Sequence, residues 1–324
     1  MSYQSVLIKG QGFALIRPYI LIARPDHWFK NIFVLPGVAF AVYDSPALVS
    51  WRIFPPLFLA LVATCLAASS NYCINEILDA PSDAVHPVKK NRPIPSGQVN
   101  LRVAYAEWAV LGLTSLVLAW CINLCFFLSL TLLLIMGILY NVPPIRLKDL
   151  PYVDVLSESI NNPIRLLLGW YSINDLYPPT LSLVLAYWMI GAFFMSVKRY
   201  AEYRRIGDAL MAAKYRKSFS YYNEYRLILS TVYYASAFGL FFGIFLIRYR
   251  IELVLATPFF AGFIAMYLRL GFNQNSAAQY PERLYKQKGL AIYIGFCLLL
   301  ILALLFIDIP VVDHMFSPIH MPGR

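Results

Sequence analysis

Apolar residues run through this chain in long blocks, without the strict alternation of strands or the one-sided period of surface helices. A helix crossing a membrane needs about 20 mostly apolar residues at about 1.5 Å each. The blocks predict nine spans: Phe29–Val42, Ile53–Ile77, Val103–Ile122, Cys125–Tyr140, Val153–Tyr171, Leu181–Val197, Leu227–Ile247, Leu253–Leu270 and Leu290–Ile307. The first and fourth are the shortest. Polar residues gather in two long stretches, 78–102 and 198–226, whereas a connection such as Cys121-Ile-Asn-Leu-Cys125 is brief. The pattern describes an all-α polytopic membrane protein. It reads as one integral-membrane domain over 1–324, with an interfacial segment over 1–28 and its chemistry in the two polar stretches.

Composition narrows the reading. Of 324 residues, 60% are apolar and 14% charged, against about 45–50% and about 25% in soluble domains. A soluble globular chain and a disordered one are both excluded. The five cysteines lie in or beside apolar blocks with no CxxC spacing, which argues against a zinc site or a disulfide framework. The first residues lack the layout of a cleaved signal peptide.

Lys and Arg number 27 and Asp and Glu 17, for a net charge of +10. Most of the basic residues fall on one side of the predicted spans: Lys9, Arg17, Arg24 and Lys30, then Lys89 to Arg102, Arg146 and Lys148, the 198–226 stretch, and Arg269 to Lys288. Arg52, Arg248, Arg250 and Arg324 fall on the other, and Arg165 lies within the fifth span. The positive-inside bias puts the N-terminus in the cytoplasm, the C-terminus outside, and the working face toward the cytoplasm of an inner or plasma membrane. The same bias, with attraction to anionic lipid headgroups, accounts for the net charge, so no nucleic-acid partner is expected. The basic and aromatic run Lys214 to Tyr222 suits a helix lying on the headgroup layer.

The second span ends in Asn75, Glu76, Asp79 and Asp83. On a helix, Asn75, Asp79 and Asp83 stand at i, i+4 and i+8 and fall within about 80° of one another. Oxygen donors in such a stripe suit Mg²⁺, which takes one or two carboxylates, water and substrate phosphates. A solvated helix end is the plainer reading, but acidic residues at bundle depth are costly and rarely idle. Pro81 is expected to bend this helix. His86, Lys89, Lys90 and Arg92 follow directly. Acids that hold a metal beside bases that hold phosphate oxygens describe a metal–diphosphate site.

Asn75-x3-Asp79-x3-Asp83, followed by His86-Pro-x-Lys89-x2-Arg92-Pro-Ile-x2-Gly97, resembles the first aspartate motif of the UbiA superfamily of intramembrane transferases. Tyr140, the Pro143-Pro144 pair and Lys148 resemble a further element of that family after the fourth span. The resemblance implies a nine-helix bundle. Typical prenyltransferase members carry a second aspartate motif after span six; here the chain has Lys198-Arg199-x-Ala201-Glu202. That signature is similar to the decaprenyl-phosphate phosphoribosyltransferase branch, as are Arg24-Pro-x2-Trp28-x-Lys30-Asn31 and Arg216-Lys-Ser218-Phe-x2-Tyr222. Glu76 stands where that branch often has Asp.

The resemblance to that branch implies 5-phosphoribosyl 1-pyrophosphate as donor and a polyprenyl phosphate as acceptor. Asn75, Asp79 and Asp83, with Glu76, are then expected to hold Mg²⁺ on the diphosphate. Lys30, Lys89, Arg92, Lys148, Lys198 and Arg199 are expected to hold phosphates. Asp154 is an extra ligand or a partner for ribose hydroxyls, and Tyr140, Arg216 and Tyr222 complete the substrate-binding set. The acceptor oxygen is already anionic, so no general base is required. Positive charge develops at the anomeric carbon, and Glu202 or Asp79 is expected to stabilise it. Aromatic residues, 16% of the chain, suit a groove for the lipid tail. The branch also implies a homo-oligomer, a trimer.

Two other readings stay open. A prenyltransferase would take a prenyl diphosphate to an aromatic or other small acceptor. A transporter would use buried acids for ions, but its site would lie near the bilayer midplane, whereas these charges gather at one surface.

Overall fold

In this computed structural model, residues 16–48, 50–84, 89–273, 276–279 and 287–316 are described. His86 of the first motif lies outside them, as do Lys9, Arg283, Lys286 and Arg324. Every regular element among the described residues is helical. The chain divides into two compact units, Met1–Pro179 and Thr180–Arg324.

In the first unit a helical stretch over 16–23 precedes a 3-10 helix, Pro25–Val34, which runs into α1 (Leu35–Asp44). Then come α2 (Phe54–Asp83), α3 (Leu101–Trp120), α4 (Leu124–Asn141), α5 (Val153–Ser159) and α6 (Asn161–Tyr171). The second unit holds α7 (Leu181–Ile206), α8 (Ala209–Tyr215), α9 (Glu224–Tyr249), α10 (Thr257–Gly271), α11 (Lys288–Phe306) and α12 (Pro310–Phe316).

Among the described residues, seven helices are long and apolar enough to cross a membrane: α2 with its leading turn from Trp51, α3, α4, α7, α9, α10 with its leading turn from Ile251, and α11. They correspond to seven of the nine predicted spans. The first and fifth predicted spans are each built from two shorter pieces, and proline is the reason. Pro36 has no N–H to give Ile32, so Leu35 bonds that carbonyl instead and the 3-10 winding persists to Val34. Pro163 likewise leaves the Ser159 carbonyl without its i+4 donor, and α5 gives way to α6 there.

Two predicted boundaries also move. The helix of the second span continues through Pro81 to Asp83. That of the sixth continues past Val197 to Ile206, so Lys198, Arg199 and Glu202 are helical.

The core of the first unit follows from small residues on α2. Ala60, Ala63 and Ala67 pack with Ala119 of α3, Phe126, Leu130 and Leu133 of α4, and Ile164 and Leu168 of α6. Small side chains let backbones approach where lipid gives no hydrophobic drive. The crossing of α1 and α6 is closer still: a Cβ at Gly37 would meet the Leu166 carbonyl, and one at Gly169 would meet the Val34 carbonyl. Outward, Val110, Leu113, Val117 and Trp120 form an exposed apolar stripe along α3, as lipid contact requires.

In the second unit α7 packs along α9. Ser196 meets Ser230 at 2.9 Å and Thr231 at 2.7 Å in their seam. Phe194 packs on Phe263 and Tyr267 of α10.

Candidate active site

Three side chains of α2, one turn apart, each reach toward α4 or the loop that follows it. Asn71 Nδ2 donates to the Leu133 carbonyl at 3.0 Å, and Asn75 Nδ2 donates to Asn141 Oδ1 at 2.5 Å. Asp79 Oδ1 accepts from Lys148 Nζ at 2.6 Å and from Arg146 Nη2 at 2.9 Å. Gly137 makes the seam possible, because a Cβ there would collide with the Asn71 amide.

The loop after α4 returns to α2 for a local reason. Pro143 forces Val142 out of the helical region, to φ −90° and ψ 126°, and α4 stops. Arg146 adopts a left-handed backbone, φ 33°, before the short 3-10 turn Leu147–Asp149. The turn brings Arg146 and Lys148 back onto Asp79, and Arg146 also meets Asp149 at 3.4 Å. Lys148 is buried, and its ammonium also donates to Asn141 Oδ1 at 2.9 Å. Tyr152, just before α5, has φ 64°, and Arg24, just before the 3-10 helix, has φ 51°. Non-glycine residues in this region are strained. All three flank segments that sequence analysis had marked as functional.

Asp83 is served by the other basic loop. Its Oδ2 takes Arg92 Nη1 at 2.6 Å, and its Oδ1 faces Lys89 Nζ at 3.7 Å. Ile94 is buried against Cys73 and Ile77 and anchors this loop. The Ile94 amide donates to Glu76 Oε1 at 3.3 Å. Glu76 is thus buried and engaged with the backbone of the loop it faces.

The Arg24–Asn31 segment docks on α2. Trp28 Nε1 donates to Ser69 Oγ at 2.9 Å, and Asn31 Nδ2 to Cys65 Sγ at 3.1 Å. Lys30 and Arg24 both lie over the Tyr72 ring, at 5.8 Å and 5.4 Å from its centroid. Asn31 Oδ1 accepts from the buried Arg165 at 3.0 Å. Lys30 is therefore held two helical turns from Asp79. Asp154 is fully buried in the first turn of α5, and one turn on Glu158 accepts the Tyr140 hydroxyl at 2.9 Å.

In the second unit Arg199 is fully buried and donates to Glu202 Oε2 at 3.2 Å, one turn away. Lys198, half-buried on the same helix, has no hydrogen bond or ion pair among the described residues. Arg216 lies over the Phe219 ring at 6.0 Å, and buried Tyr222 packs edge-on to that ring. Burial, with the Glu202 carboxylate nearby, raises the Tyr215 phenol above its ordinary range, so it stays neutral.

Sequence reasoning missed Asn141, Arg146 and Glu158 as site residues. Asn141 and Arg146 sit inside the Tyr140–Lys148 element it quoted, and Glu158 lies one helical turn after Asp154. Their spacing was visible, but their partners were not.

Among the described residues no three His, Cys, Asp or Glu side chains come together as a metal cluster. The α2 stripe instead offers two carboxylates and one amide, all hard oxygen donors, ringed by four cationic side chains. Oxygen donors of that kind fit a hard divalent cation such as Mg²⁺.

Comparison with known proteins agrees with the motifs. The UbiA prenyltransferase family model matches residues 32–286. The decaprenyl-phosphate phosphoribosyltransferase of Mycolicibacterium smegmatis is 31% identical over 69% of this chain and 68% of that protein. The protein of the same name from Mycobacterium tuberculosis (strain CDC 1551 / Oshkosh) is 30% identical over 71% of this chain and 74% of that one. The structure of a UbiA homologue from Archaeoglobus fulgidus bound to GPP and Mg²⁺ superposes with a TM-score of 0.67, at 20% identity, covering 90% of this chain and 100% of that chain. With its apolar helices, this protein is an integral membrane member of the UbiA prenyltransferase family.

Proposed function

We propose that this protein is a polyprenyl-phosphate phosphoribosyltransferase. It moves 5-phosphoribose from phosphoribosyl pyrophosphate to a polyprenyl phosphate, with Mg²⁺, and releases pyrophosphate. The observation that carries the reading is the α2 stripe, in which each of two carboxylates is faced by two cations: Asp79 by Arg146 and Lys148, Asp83 by Arg92 and Lys89. Acids and bases in that ratio suit a metal and a diphosphate together. The relatives' names supply the sugar phosphate and the lipid.

Asn75, Asp79 and Asp83, with Glu76, would hold the cation. When bound, it offsets charge on the departing pyrophosphate. Lys148, Arg146, Lys89 and Arg92 turn from carboxylates to phosphate oxygens. Lys30, anchored over Tyr72, extends the same basic surface. In the second unit Lys198 and Arg199 serve as phosphate-binding groups, with Glu202 fixing the Arg199 guanidinium. Asp154 and Tyr140 take ribose hydroxyls, and Arg216 and Tyr222 serve the lipid headgroup. The acceptor phosphate attacks the anomeric carbon opposite the leaving group, with inversion. The chain contributes position and electrostatics, with no covalent intermediate.

We infer that this chemistry faces the cytoplasm, with the N-terminus on the same side, because the basic residues concentrate there. A nine-span count, including the two proline-broken segments, and a trimeric assembly belong to the same proposal.

The second reading, a prenyl diphosphate donor with an aromatic or other small acceptor, draws on the same α2 donors, which would suit any diphosphate. Purified protein incubated with Mg²⁺, polyprenyl phosphate and radiolabelled phosphoribosyl pyrophosphate separates the two. Label entering the lipid phase supports the proposal. Label entering product only from a prenyl diphosphate would replace it with the second reading.

A further inference from the structure

Asn141 belongs to no role assigned so far, yet it is buried and touches both Asn75 of the stripe and Lys148, the cation on Asp79. Its hydrogen bonds have a forced polarity. The Gly137 carbonyl can only accept, so the group Asn141 turns to it at 2.9 Å must be Nδ2. Its Oδ1 therefore faces the other way. There it accepts from Lys148 at 2.9 Å, and an ammonium can only donate. The same oxygen stands 2.5 Å from the Asn75 amide, which must present Nδ2 to it. Asn75 Oδ1 is then the end of that amide not committed to Asn141, and it takes no hydrogen bond among the described residues.

We propose that Asn141 is a positioning residue: from the fixed Gly137 carbonyl it sets the orientation of the Asn75 amide, so that the Asn75 oxygen, and not its NH₂, is offered to a divalent cation carried with a diphosphate. The proposal rests on the metal–diphosphate reading above. It assigns to Asn141 no contact with substrate. The same bonds pin Lys148 midway between Asn141 and Asp79, so one buried amide holds both an acceptor and a cation of the site in register.

The test uses the full-length protein in detergent and reads thermal stabilisation by pyrophosphate as Mg²⁺ is titrated, so it does not depend on turnover. Asn141→Leu keeps the bulk and removes both polar ends. It is expected to raise the Mg²⁺ midpoint about tenfold, the size of one weakened ligand contact of about 1.4 kcal/mol. Asn75→Ala is expected to raise it by a similar factor, and the double variant no further, because both changes remove the same oxygen. Asn141→Asp retains an oxygen toward Asn75 and Lys148 and is expected to stay within about threefold of the parent. A lowered melting temperature in Asn141→Leu with an unchanged Mg²⁺ midpoint would overturn the proposal, leaving a structural amide. So would additive midpoint shifts in the double variant. If Asn141→Leu does not fold, Asn141→Asp set against Asn75→Ala decides: equal midpoint shifts in the two would overturn it. If the parent protein gains no stability from Mg²⁺ and pyrophosphate, the metal–diphosphate reading falls and this proposal falls with it.

Discussion

Lys148 and Asp79 stand 69 residues apart in the chain and 2.6 Å apart in space. The contact ties the end of α2 to the loop after α4 and keeps a buried ammonium beside a carboxylate. Arg146 shares the same oxygen. Here and at Asp83, four cationic side chains face two carboxylates, an excess of positive charge that suits the polyanion of the proposed reaction.

Removing either carboxylate should stop transfer while the fold survives. Asp79→Ala leaves Arg146 and Lys148 facing each other, and Asp83→Ala does the same to Lys89 and Arg92. We expect activity to fall at least 100-fold in each, with helical content and elution volume unchanged. Circular dichroism with a transfer assay checks this, and near-normal turnover in either variant would contradict the assignment.

Metal and anion should act together. Because both carboxylates already face cations, Mg²⁺ alone is expected to shift the melting temperature little. Mg²⁺ with pyrophosphate is expected to shift it clearly, since binding to the folded state stabilises by mass action. Stabilisation by Mg²⁺ alone to the same extent would point to a site complete without the phosphate.

Lys198 and Arg199 should part company when mutated. Lys198, without a partner among the described residues, is expected on Lys198→Ala to need more sugar-phosphate donor, with lipid dependence and stability nearly unchanged. Arg199→Met takes the Arg199 guanidinium from the buried Glu202 carboxylate and is expected to lower stability by about 3 kcal/mol. Adding Glu202→Gln to it should restore part of that stability and none of the activity. Denaturation midpoints of the single and double variants provide the check.

The α1–α6 crossing should tolerate no Cβ. Gly169→Ala would push into the Val34 carbonyl. A destabilisation of about 2 kcal/mol is expected from such overpacking. A variant as stable as the parent would mean the two helices can separate at no cost.

The α2 stripe is legible in sequence because the helical period turns spacing into position: Asn75, Asp79 and Asp83 share a face wherever the helix holds. What answers that face is not legible. Arg146 reads as one more cytoplasmic charge until Val142 turns extended and Arg146 itself goes left-handed, which brings it onto Asp79. Ile94 reads as a lone apolar residue in a basic loop until its amide is found on Glu76. The breaks inside the first and fifth spans are hidden for a related reason. Hydropathy weighs side chains and ignores the missing N–H of Pro36 and Pro163, and so reads broken segments as single rods. The Arg199–Glu202 pair sits at a spacing that sequence supplies, but as a loop prediction it gave no reason to expect a helix, and hence no reason to pair them.

Direct binding of labelled phosphoribosyl pyrophosphate to the purified protein tests the account at its root. It should bind only with a divalent cation, lose binding in Asp79→Ala, and be displaced by pyrophosphate far better than by a prenyl diphosphate. Binding that persists without metal, survives Asp79→Ala, or yields first to the prenyl diphosphate would contradict it.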